Sequence, residues 1–180
     1  MRYGEFAVHV DRLFVKPEGL VGKTLHAAVG ISGEVAELQE CLNRWNNGEG
    51  FDYENIKEEC GDILFYAQAF CSLHSVSMSS LIVEDAETDN LHLSLAVAVA
   101  CSGKFLDRVK KTWIYSKEFD VQEAVKHLRT VLYEVVALLR YSGSNVQQAF
   151  QENYDKLKLR YPDGYTDQAA QLRADKAGVE

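Results

Sequence analysis

Two pairs of acids, each spaced i,i+3, stand inside apolar runs of this sequence. The first is Glu34 and Glu37 in Gly33-Glu34-Val35-Ala36-Glu37-Leu38. The second is Glu59 and Asp62 in Glu58-Glu59-Cys60-Gly61-Asp62-Ile63-Leu64-Phe65. Residues three apart share one face of an α-helix, roughly 60° apart around its axis. Acids are costly to bury unpaired, so carboxylates hemmed in by Val35, Leu38, Ile63 and Leu64 need a compensating partner. Two such helices face to face would bring four carboxylates together, and their repulsion calls for a cation. A hard divalent ion, Mg2+ with Mn2+ as substitute, takes oxygen donors of this kind. The competing reading is a solvated acidic face, and a single i,i+3 pair would carry no more than that. Glu58 fits the solvent-facing description best.

A basic set lies far along the chain. Lys156 and Arg160, at i,i+4, share a helix face, and Asn153 precedes them by three. Arg offers a planar fork and Lys a point charge, a combination that suits phosphate oxygens. Charges that complement a helix C-terminus are the plainer account of the same residues. Lys104, Arg108 and Lys111 form another basic stripe, read as a solvated or internally paired face. His26, eight residues before Glu34, reads as structural. Trp45, Trp113 and Phe51 read as core.

These residues need elements to hold them. Only Pro17 and Pro162 interrupt the 180 residues as helix breakers, and apolar periodicity runs between them. The pattern predicts an all-α chain. Its helices span about Tyr3–Val15, Gly22–Asn46, Tyr53–His74, Leu91–Tyr115, Val121–Tyr141 and Asn145–Arg160. Asp52 with Asn55, Asp120 with Glu123, and Ser144 with Gln147 read as N-terminal caps. The connector from Ser75 to Asn90 holds one short helix. The tail from Tyr165 is polar, fit either to cover a site or to stay solvated. With 47% apolar residues the chain can bury a core.

Formal charge is −8, which argues against broad nucleic-acid binding. No apolar run is long enough to span a bilayer, and no secretory signal is evident. Cys41, Cys60, Cys71 and Cys101 form no CxxC pair and read as buried thiols of a reducing compartment. A cytoplasmic protein with no membrane partner is the expectation.

A weak internal echo divides the chain. Ala28-Val29-Gly30-Ile31-Ser32-Gly33 matches Ala98-Val99-Ala100-Cys101-Ser102-Gly103, and Phe51-Asp52 matches Phe119-Asp120. The expected organisation is one all-α domain over 1–180. An acidic unit spans 20–90, a degenerate second unit carrying the basic box spans 91–162, and a polar tail spans 163–180. In the second unit Lys104, Asp107, His127 and Thr130 stand where Glu34, Glu37, Glu59 and Asp62 stand in the first, so it cannot hold the same metals. Asp85, Thr88 and His92 map onto Asn153, Lys156 and Arg160.

ExxE, a gap of about twenty residues, then ExxD resembles the MazG-like all-α nucleoside triphosphate pyrophosphohydrolases. The box Asn153-Tyr-Asp-Lys156-Leu-Lys-Leu-Arg160-Tyr-Pro-Asp-Gly resembles the basic box that follows the acids in that family. The resemblance covers about Val29–Tyr66 and Asn153–Tyr165. It implies a MazG-like helical bundle, assembled as a homodimer or higher homo-oligomer. It implies Mg2+-dependent hydrolysis of an NTP or dNTP to the monophosphate and pyrophosphate. Glu34, Glu37, Glu59 and Asp62 match its metal positions, with Glu37 and Glu34 also the catalytic candidates. Lys156, Arg160 and Asn153 match its substrate-binding positions. This chain departs from a single-copy member in the helical unit inserted before the basic box. The spacing leaves open whether one chain or two complete a site. A phosphoribosyl-ATP pyrophosphohydrolase and a non-catalytic interaction bundle are the alternatives. A di-iron bundle would need Glu-x-x-His pairs, which the sequence lacks.

Overall fold

The computed structural model describes residues 1–176. Among them the chain forms seven α-helices and no strand. They are α1 (Tyr3–Leu13), α2 (Leu20–Asn46), α3 (Tyr53–Leu73), α4 (Leu91–Tyr115), α5 (Val121–Tyr141), α6 (Val146–Arg160) and α7 (Asp167–Leu172), with one 3-10 turn at Met78–Ser80. None of the described helices is long and apolar enough to cross a membrane.

Local chemistry sets the boundaries. Gly19, at φ +80°, separates Pro17 from α2, and Gly48, at φ +91°, follows its end. Asp52 accepts from the Asn55 amide at 3.0 Å and Asp120 from the Glu123 amide at 3.0 Å, so both expected caps are present. The cap of α6 is instead Asn145, which accepts from Gln148 N at 3.0 Å, displacing the expected Ser144 by one residue. Asn outranks Thr and matches Ser as a cap, so neighbouring Ser and Asn compete for the position.

The helices pair as two antiparallel hairpins, α2 with α3 and α4 with α5, joined across α2 and α4. Ser32 and Ser102, matched by the sequence echo, meet there through a 3.3 Å hydrogen bond from Ser32 Oγ to Ser102 O. The positions that map onto the basic box have no matching helix. Asp85 and Thr88 lie in the connector, and His92 opens α4.

Helix α3 is the axis of the molecule. It packs against α1, α2, α5 and α6, and Cys60, Gly61, Ile63, Leu64, Ala67 and Phe70 are fully enclosed. Each large apolar side chain so buried contributes about 1.5–3 kcal/mol before the entropy of ordering it. Burial on nearly every side explains why α3 is almost wholly apolar from Ile63 to Leu73. Phe51 packs against this core as expected. Trp45 and Trp113 do not: they are 39% and 56% exposed, near the C-terminal ends of α2 and α4.

Candidate metal and phosphate site

The two acid-bearing helices meet. Glu34 on α2 and Glu59 and Asp62 on α3 each present an oxygen within 4.8 Å of the others. Glu37 lines the same cleft, one helical turn further along α2 and exposed, outside that triad. The cleft measures about 320 Å³.

The electrostatics are those of carboxylates crowded together with little water. Burial, then the charges of Asp62 and Glu59, push the Glu34 carboxyl up to about 8. Burial, then the charge of Glu37, push Glu59 up to about 7. Glu59 is 6% exposed. Burial also raises Asp62, outweighing the ion pair it makes with Lys156. Protons here hold apart charges that a divalent cation would neutralise better, so the donor set fits such an ion.

The basic helix reaches the acids within one chain. Lys156 Nζ lies 2.6 Å from Asp62 Oδ1 and 2.5 Å from Oδ2, and Asn153 Nδ2 donates to Oδ1 at 2.6 Å. Asp62 therefore links the carboxylate cluster on one side to α6 on the other. The packing that brings them together is α3 against α6, with Gly61 facing Asn153 across the contact. Asn153 is 3% exposed, and its Oδ1 has no hydrogen-bond partner among the described residues. Arg160 lines the acid cleft, but its guanidinium is paired with Asp175 through Nε to Oδ1 at 2.6 Å and Nη2 to Oδ2.

Several site residues carry no signal in the sequence. Glu58, expected to face solvent, accepts from Lys156 at 3.3 Å and from Lys176 at 2.7 Å. Burial raises its carboxyl, yet the two lysines hold it below the usual range. Asn55, with its amide oriented to satisfy its neighbours, donates to Glu59 Oε1 at 3.1 Å and accepts from Arg44. Phe14 at the end of α1, Tyr66 on α3, and Tyr161 and Tyr165 beyond α6 wall the cleft. His26, expected to be structural, sets its Nδ1 2.8 Å from Lys16 O and stacks its ring on Phe14 with centroids 4.6 Å apart. It belongs to the cleft wall as well. The tail also reaches the site, since Ala170, Arg173 and Lys176 line the cleft. An i,i+1 neighbour, a tail residue and a ring a hundred residues away share no spacing rule. Only the fold unites them.

The second basic stripe is internally paired in part. Arg108 lies 3.6 Å from Glu123 and Lys111 lies 2.5 Å from Asp107.

No family model, curated protein or solved structure matches the chain.

Proposed function

We propose that this chain is a Mg2+-dependent nucleoside triphosphate pyrophosphohydrolase of the MazG-like kind, converting an NTP or dNTP to the monophosphate and pyrophosphate. The observation that carries the reading is the convergence of Glu34, Glu59 and Asp62 with Lys156 on Asp62. Clustered acids alone suit any divalent cation. Acids with a lysine and an arginine at their edge suit a cation that arrives with phosphate.

In this reading Glu34, Glu59 and Asp62 hold the metal, and Glu37 joins them as ligand or stays free. Bound there, Mg2+ would screen the triphosphate and make a coordinated water more acidic. Glu37, outside the close triad, is placed to take a proton from the attacking water. The water oxygen bonds to the α-phosphorus, the bond from that phosphorus to the β-bridging oxygen breaks, and pyrophosphate leaves with the electron pair. Lys156 and Arg160 neutralise the leaving charge, and Asn153 steadies Asp62 through the hydrogen bond from its Nδ2. The rings of Tyr66 and Tyr161 offer surfaces against which a base could stack.

The test is turnover of a panel of common and deaminated NTPs and dNTPs with Mg2+. Monophosphate should accumulate, stop when EDTA is added, and fall by at least about 100-fold in Asp62→Asn. Turnover that survives both changes would remove the carboxylate cluster from the chemistry.

A further inference from the structure

The Arg160 guanidinium, assigned above to phosphate, already holds an anion. Asp175 meets it with two near-parallel hydrogen bonds, one of them 2.6 Å long, the forked geometry that guanidinium makes with carboxylate and phosphate alike. The pair is enclosed: the Asp175 side chain is 2% exposed and that of Arg160 16%. The next residue, Lys176, sets its ammonium on Glu58 at 2.7 Å, at the edge of the carboxylate cluster. The segment thus places a negative group where phosphate would bind and a positive group near where a cation would.

What holds this segment down is polar. Helix α7 buries none of its own residues, and its main helical neighbour is α6. Its tether at the far end is the ion pair of Lys16 with Asp167 at 2.7 Å, both side chains more than half exposed. The exposed end is held by an ion pair alone and opens at low cost, so the enclosed Arg160–Asp175 pair is the contact a ligand must replace.

We propose that the segment carrying Asp175 is an internal competitor for the phosphate site, its carboxylate occupying Arg160 until a phosphate group displaces it. The proposal rests on the reading of Arg160 as a phosphate ligand. Exchange of one forked anion for another leaves the guanidinium paired before and after, and it makes ligand affinity depend on how often the segment is open. Polyphosphates with several charges displace it best. A single weakly charged anion competes poorly with a carboxylate tethered to the chain.

Calorimetric titration of the full chain with inorganic tripolyphosphate in Mg2+ buffer tests this. Asp175→Asn should bind about tenfold more tightly than the unaltered chain, the gain expected if the open state is about a tenth populated. Asp175→Glu, which retains the charge, should stay near the original affinity. Amide exchange over 167–176 should quicken when tripolyphosphate is added to the unaltered chain. Equal or weaker binding by Asp175→Asn overturns the competitor. If Lys156→Ala still lowers the affinity in that case, the phosphate site itself stands. No binding by any of the chains would remove the phosphate site, and the competitor with it.

Discussion

Glu34 and Glu59 are the residues whose environment speaks most directly. Both carboxyls are driven upward by burial and by neighbouring acids, Glu34 to about 8 and Glu59 to about 7, against an ordinary value of 4.5. Without metal, the folded chain therefore binds more protons than the unfolded chain between about pH 4.5 and 8. Stability falls wherever the folded state holds the extra protons and pH rises. The metal-free protein should have a lower Tm at about pH 8 than at about pH 6, and Mg2+ should recover most of the loss. Glu34→Gln should flatten the dependence. A Tm that rises with pH over this window in the absence of metal would contradict the crowding of these acids. The sequence made the four acids legible because two i,i+3 pairs, each hemmed in by apolar residues, are harder to dismiss than one. It did not single out Glu58 or Asn55, because a neighbour that orients an acid needs no periodicity.

Helices α4 and α5 match the expected spans from Leu91–Tyr115 and Val121–Tyr141, and the other four expected helices differ by no more than two residues at either end. A long stretch free of proline, with caps at Asp52 and Asp120, leaves little choice. Helix α7 and its docking were not legible, since it buries nothing and has no apolar pattern to read. The contact of α2 with α3 offers a test at this scale. A Cβ on Gly30 would lie 2.5 Å from the Tyr66 ring, whereas one on Gly33 would meet nothing within 4 Å. In a helix interior, Gly→Ala alone gains roughly 0.8–1 kcal/mol. Overpacking costs typically about 1–3 kcal/mol. Thermal unfolding should therefore show Gly33→Ala raising Tm and Gly30→Ala lowering it or leaving it unchanged. A rise of equal size in both would mean that Tyr66 does not pack on α2 as described.

Across the whole molecule, the bond from Lys156 to Asp62 joins α6 to α3 over 94 residues of one chain. The sequence could not decide between one chain and two, because that depends on where α6 lands and not on its spacing. With both partners in one chain, mixing Asp62→Asn chains with Lys156→Ala chains should restore no activity. Rescue would show that subunits share sites. Acids and base that together direct water to the α-phosphorus leave a distinctive pair of products. Phosphorus NMR of a turned-over nucleoside triphosphate with Mg2+ reads them. Resonances of monophosphate and pyrophosphate in equal amounts are the predicted result. Nucleoside diphosphate with orthophosphate would contradict it.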